Sequence, residues 1–251
     1  MKRLIVNADD FGFTRDVNEG IIEAHRRGIL TATTIMATGN AFDHAVQLAR
    51  DYAATLDVGV HLTLIGERAL SRPGQALPDS PRALVAAVLF RTLNIARELE
   101  AQVLRVFEAG IQPTHLDTHK HSHLLPQVAE VVGELSERYR IAWVRRPLPK
   151  PILGALSMAR LRRHGCRMTD HFLGYDLTGR FGAVELESVI RSLPEGLSEF
   201  MCHPGRLGDE LRQARTRLKE SRQRELDALT APAVKTAVQA AGVQLTGYRN
   251  A

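Results

Sequence analysis

Leu4-Ile5-Val6-Asn7-Ala8-Asp9-Asp10-Phe11-Gly12, residues 4–12, opens the chain with a short apolar run that stops on two aspartates. Leu4–Ala8 has the length and composition of a buried strand. The same arrangement, an apolar run followed by a polar group, recurs along the chain. Ala32–Met36 reads as a second strand, rich in β-branched residues. Val58, Val60, Leu62 and Leu64 alternate as a third, with His61 on the opposite face. Thr114–Asp117, Ile141–Val144, Ser198–Cys202 and Val243–Tyr248 read as later strands.

Helical patterns lie between them. Asp16 and Glu19 form a capping-box pattern ahead of Val17, Ile21 and Ala24, with Gly28 as a stop. Ala41–Tyr52 reads as a helix. Ser80-Pro81 starts a helical stretch expected to run to about Ala109, by the N-cap and N1-proline preference. Pro126–Tyr139, a basic segment near 152–164 and Leu186–Leu193 are helical, and two helices follow Cys202. Residues 65–80 read as a loop, and 146–182, with Pro147, Pro149 and Pro151, is the least regular segment.

Strand–helix alternation implies the α/β class, with a parallel sheet and right-handed crossovers. At 251 residues the chain fits one domain, residues 1–251. The expected form is a single-domain β/α barrel, distorted or seven-stranded variants included. Asp9 and Asp10 end the first strand, His61 sits late in the third, His119 follows the fourth and His203 follows a late one. In such a barrel the active site occupies the C-terminal ends of the strands.

Hydrophobic residues make up 44% and charged residues 24%, ordinary for a globular protein with a sizeable core. Two cysteines, Cys166 and Cys202, are too few for a disulfide framework. The N-terminal apolar run reaches Asn7 too soon for a signal-peptide core, and no run approaches a transmembrane span. A cytoplasmic protein is expected. The formal charge is +5, with arginines at 160, 162, 163 and 167 that read as a solvated basic face. Aromatics at 5% supply few base-stacking platforms, so no nucleic-acid partner is expected. A homodimer is compatible with the sequence, which does not encode oligomeric state.

The chemistry concentrates in Thr114-His115-Leu116-Asp117-Thr118-His119-Lys120-His121-Ser122-His123, which holds four of the ten histidines and an aspartate. Histidine is the commonest metal ligand, and packing does not account for so dense a cluster. Asp10, His61 and His119 would form a two-histidine, one-carboxylate set that leaves positions open for water and substrate. A divalent ion there lowers the pKa of bound water and polarises a carbonyl. Asp9 is then available as general base, and His203, in Met201-Cys202-His203-Pro204-Gly205, as the acid for the leaving group. His115, Asp117, His121 and His123 are candidates to orient the ligands from behind; Asp117, His119, His121 and His123 would share a face if the strand continues.

Bland readings exist for each residue alone. Paired aspartates after a strand often cap the next helix, and a lone buried histidine is usually structural. Rival functions are a metal-dependent phosphoesterase, which would want more carboxylates for a second ion, and a non-catalytic metal- or nucleic-acid-binding module. A glycosidase using Asp9 with another acid would not need this histidine density.

Asn-Ala-Asp-Asp-Phe-Gly at 7–12, Val-His-Leu at 60–62, the 114–123 run and Met-Cys-His-Pro-Gly at 201–205 occur in order, and the chain resembles the YdjC-like carbohydrate deacetylases (the ChbG/HpnK family) end to end. The resemblance implies a β/α barrel and removal of an N-acetyl group from an amino sugar, by hydrolysis of a linear amide C–N bond. It places the metal aspartate on Asp10, the metal histidines on His61 and His119, and the catalytic aspartate on Asp9. Lys120 replaces a further histidine found in some members. The family implies magnesium, whereas histidine ligation suits zinc better. Its substrates are chitin oligosaccharides or lipid-linked N-acetylglucosamine, with 65–80 and 146–182 as the expected discriminating loops.

Overall fold

The computed structural model describes all 251 residues. In chain order, β1 is Lys2–Phe11, α1 Arg15–Arg27, β2 Ala32–Ile35, α2 Phe42–Asp51 and β3 Asp57–Leu62. Next come α3 Pro81–Leu89, α4 Ile95–Glu108, β4 His115–Thr118, α5 Pro126–Tyr139, β5 Trp143–Val144 and α6 Leu153–Arg163. The last third holds β6 His171–Leu173, α7 Ala183–Arg191, β7 Gly196–Cys202, α8 Asp209–Gln213, α9 Glu220–Thr230, α10 Pro232–Ala240 and β8 Gln244–Leu245. Contacts sort the chain into two units, one of residues 1–33, 40–57 and 169–251, the other of 34–39 and 58–168.

In the first unit β1 pairs in parallel with β7 on one side and β8 on the other, and β7 pairs with β6. The β1–β7 register sets Asn7 beside Met201 and Ala8 beside Cys202. Asp9 and His203 are the residues that follow this last pair. Leu4, Ile5, Val6 and Phe200 are buried from the sheet; Ile21, Ile190, Leu229 and Val234 are buried from the helices. Phe181 meets Phe200 edge to face at 5.3 Å.

In the second unit β4 lies between β3 and β5, again all parallel. His61 pairs in register with Asp117. Val103 and Val106 of α4, Val128 and Val132 of α5 and Leu161 of α6 are buried. Gly59, two residues before His61, accommodates His115: a Cβ there would stand 2.6 Å from the imidazole.

Several local expectations are corrected. Thr14 caps α1, its hydroxyl accepting from Val17 N–H at 3.2 Å; Asp16 instead accepts from Leu211 N–H. The helix expected from 80 to 109 is two helices. Phe90 ends the first, Arg91 takes a left-handed φ of 54°, and the Asn94 side chain caps the second by accepting from Arg97 N–H. The apolar pattern runs across this break, so only the Asn94 cap marks it. β4 does not continue through the histidines. It stops at Thr118, and His119–Leu124 forms a 3-10 turn with left-handed Lys120 and His121, so alternate residues there do not share one strand face. Within 146–182 the chain forms β6, three helices rather than two follow Cys202, and the last strand shrinks to two residues. No helix is long and apolar enough to cross a membrane.

Candidate active site

In the second unit His61 and Asp117 are both buried, and their strand register brings them into contact. His61 Nδ1 lies 2.7 Å from Asp117 Oδ1. The carboxylate can only accept, so it fixes the proton on Nδ1 and leaves the Nε2 lone pair facing away. Asp117 is itself pinned. Its Oδ2 accepts from the Thr34 hydroxyl at 3.1 Å and pairs with Arg145 Nη2 at 2.8 Å. Arg145 and Asp117 are each 0% exposed, and a charge so placed is tolerable only when paired.

His61 Nε2 looks at His119 Nδ1 across 3.2 Å. Two nitrogens so placed hold either a shared proton or a cation. Ligands about 2.0–2.1 Å from one zinc-like ion and at right angles would sit about 3 Å apart, so the spacing fits a metal. The pair offers two nitrogens. Asp117 is poorly suited to add an oxygen donor, since both its oxygens are engaged.

The other histidines of the cluster lie on β4 or in the turn after it. His123 N–H donates to the Thr118 hydroxyl, which lies 2.6 Å from His123 Nδ1, closing the segment on itself. His115 sits one pleat repeat before Asp117, with Nδ1 2.8 Å from the Thr114 hydroxyl. His121 lies near His123, ring centroids 6.2 Å apart.

In the first unit the end of β1 carries Asp9 and Asp10. Asn7 Nδ2 donates to Asp9 Oδ1 at 3.2 Å. Asp9 Oδ2 lies 3.9 Å from His203 Nε2, an ion-pair separation too long for a direct hydrogen bond. Asp10 has a left-handed φ of 70°, sparsely populated for any residue but glycine, asparagine and aspartate. Its Oδ2 accepts from buried Arg222 at 2.5 Å. His203 N–H donates to Glu225 at 2.5 Å. Burial pushes the Glu225 carboxyl up to about 7, against the backbone N–H groups of His203 and Gly179 and the charge of Arg222, which hold it down; Asp9 adds to the rise.

The structure thus gathers His61, Asp117 and His119 in one unit and Asp9 and His203 in the other. The sequence patterns do not single out Arg145, Arg222 or Glu225 as parts of the site. Arg145 does follow the Ile141–Val144 run, the position that marked Asp9 and His203. Nothing in Ser221-Arg222-Gln223-Arg224-Glu225 separates buried charges from solvated ones.

The expected basic face is partly neutralised: Arg160 and Arg163 pair with Glu130, and Arg167 stacks on Trp143 at 4.1 Å.

Parallel strands joined by helices, with buried imidazoles and carboxylates at strand ends in both units, place the chain among α/β enzymes of the barrel class. It belongs to the YdjC-like protein family, which matches residues 3–240. A carbohydrate deacetylase of Geobacillus stearothermophilus is 36% identical over 249 residues, covering 98% of this chain and 96% of that protein. A carbohydrate deacetylase of Brevibacillus brevis is 34% identical over 262 residues, covering 98% of each. A crystal structure of a candidate cellobiose-phosphate cleavage protein from Enterococcus faecalis V583 matches with a TM-score of 0.84 and 28% identity, covering 99% of this chain and 98% of that one. That likeness carries the expected barrel class over to this chain.

Proposed function

We propose that this protein is a carbohydrate N-deacetylase. It removes the acetyl group from a sugar containing N-acetylglucosamine, using one divalent cation held by Asp10, His61 and His119. The observation that carries the proposal is the facing imidazole pair, with the His61 tautomer fixed from behind by Asp117. Asp10 supplies the oxygen donor that the pair lacks. The names of the deacetylase relatives support the substrate class. Two nitrogens and one oxygen suit zinc better than magnesium, which prefers oxygen ligands.

When bound, the cation polarises the acetyl carbonyl and makes the attacking water more acidic. Asp9 takes a proton from that water. Asn7 donates to its Oδ1, and its Oδ2 stands on the His203 side. The water oxygen bonds to the acyl carbon, the C–N bond breaks, and the imidazolium of His203 gives its Nε2 proton to the departing nitrogen. The products are acetate and a free amine. Asp117 and Arg145 keep His61 in the ligating tautomer, while His115, His121 and His123 maintain the turn and strand that present His119. Residues 1–251 work as one deacetylase domain.

The test is acetate release by purified protein from chitobiose, longer chitin oligomers and N-acetylglucosamine glycolipids. At least one should yield acetate and amine in equal amounts, with activity lost to a chelator and restored by a divalent ion. Acetate release indifferent to chelation would overturn the metal assignment. Phosphate release from phosphoesters, with none of acetate, would replace the reading with a phosphoesterase.

A further inference from the structure

We infer that Glu225 is a positioning residue for proton delivery to the leaving group: from α9 it fixes the main chain at His203 and so sets where the imidazole stands relative to Asp9. The inference rests on the roles proposed above for Asp9 and His203.

Arg222 and Glu225 are three residues apart and therefore share a helix face. Both are 1% exposed. Charged side chains are almost never so buried unless paired, and each here has a partner at a strand end. Arg222 reaches Asp10 near the end of β1. Glu225 spends both oxygens on backbone. Oε2 accepts from His203 N–H at 2.5 Å, and Oε1 from Gly179 N–H at 3.0 Å.

His203 is the first residue beyond β7. The residues after it are gripped by the same helix, because Gly205 N–H donates to the Arg222 carbonyl at 3.1 Å. Gly205 lies so close that a Cβ there would stand 3.3 Å from Arg222 Cβ. Between the two grips stands Pro204, whose ring fixes φ and restricts the residue before it. His203 therefore has its backbone clamped on both sides. The ring then stands with Nε2 3.9 Å from Asp9 Oδ2.

An apolar residue at 225 would dock α9 without the desolvation cost of a carboxylate. It would also leave the His203 and Gly179 N–H groups without their acceptor, a loss that buried donors do not tolerate. The carboxylate joins the segment before α7 to the segment after β7, so the loop at 179 and the proton donor are held by one group.

Glu225→Gln keeps the shape but turns an amide NH2 toward one of the two backbone donors. Glu225→Asp keeps the charge and shortens the reach. Both are to be compared with wild type on an N-acetylated sugar and on an activated acetyl ester, whose leaving group needs little protonation. E225Q is expected to lower kcat on the amide by about tenfold more than on the ester, a fraction of what a positioned acid supplies, with KM little changed. E225D should recover part of that loss. In a His203→Ala background E225Q should add less than about threefold, because residues acting through one group are not additive. Equal losses on amide and ester, or full additivity with H203A, would reduce Glu225 to a structural residue.

Should both variants fail to fold, the wild-type His203 amide decides by NMR. Slow hydrogen exchange and a shift that follows a single carboxyl are expected, and rapid exchange at neutral pH would overturn the clamp. A wild type that releases no acetate from any sugar would sink the deacetylase reading, leaving the amide measurement to judge the clamp independently.

Discussion

The two units hold their functional groups by different means. In the second, side chain holds side chain: Arg145 and Thr34 fix Asp117, Asp117 fixes His61, and His61 faces His119. In the first, a helix holds the main chain at His203: α9 grips His203 and Gly205 by their N–H groups, while Asn7 and Arg222 hold Asp9 and Asp10 by their side chains. The difference follows from the tasks assigned to them. An imidazole ligand must present one chosen nitrogen, so its tautomer and ring angle need a partner on the other nitrogen. A proton donor must keep its ring nitrogens for the reaction, so the constraint falls on its main chain. Damage to the imidazoles of the second unit should therefore appear first as lost metal, and damage at Asp9 or His203 of the first as lost turnover with the metal retained.

The largest expected effects test that division directly. His119→Ala should remove most bound metal and activity together. Asp9→Asn should leave metal content unchanged and reduce turnover by roughly 10²–10⁴-fold, the usual scale for a positioned acid–base group. Metal analysis beside acetate release reads both. Full metal in H119A, or near-normal turnover in D9N, would break the comparison.

Next in size is the buried ion pair. Arg145→Ala leaves the Asp117 carboxylate without its arginine partner in the interior, and removing one partner of such a pair costs about 3–5 kcal/mol. Denaturant unfolding should show it. Asp117→Asn keeps the volume but no longer selects the His61 tautomer, and metal affinity should fall by about 10–100-fold. A stable R145A protein with wild-type metal affinity would show that Asp117 is held in place without Arg145.

The smallest effect belongs to Glu225. Its carboxyl binds a proton more tightly in the folded protein, at about 7, than at the ordinary 4.5. The folded state thus gains stability from the protonated form. That contribution is complete below pH about 4.5 and is lost as pH rises through about 7. Measured as the difference between wild type and E225Q, thermal stability should decline across this window. A flat difference would mean that Glu225 is ionised throughout, with Arg222 and the two N–H groups outweighing burial and Asp9.

How much of this was legible depended on whether a residue's role was local. The apolar runs that became β1, β3, β4 and β7 could be read because burial imposes composition, and Asp9, Asp10, His61, His119 and His203 stand out as candidates because they sit at or near the ends of such runs. The α3–α4 break was hidden because Val85, Leu89 and Phe90 are exposed apolar residues that imitate a continuing buried face. The turn at 119–124 was hidden because left-handed Lys120 and His121 are not residues that announce one. Arg145, Arg222 and Glu225 were hidden for another reason. A buried charge and a solvated charge are spelled alike, and only the partner across the fold distinguishes them. Asp117 was found because it is a neighbour in sequence of the histidines it serves; Glu225 is 22 residues from His203.

Asp10 combines a proposed ligand oxygen with a backbone that few residue types can adopt. At a φ of 70°, asparagine and glycine follow aspartate with little strain, and β-branched side chains are excluded. This limits how the position can drift over evolutionary time. A relative that has lost catalysis but kept the fold should carry Asn or Gly at position 10 in preference to most other residues, so its inactivity would be visible as a one-letter signature. For the same reason Asp10→Asn is the informative laboratory substitution, because it changes the charge and leaves the turn intact.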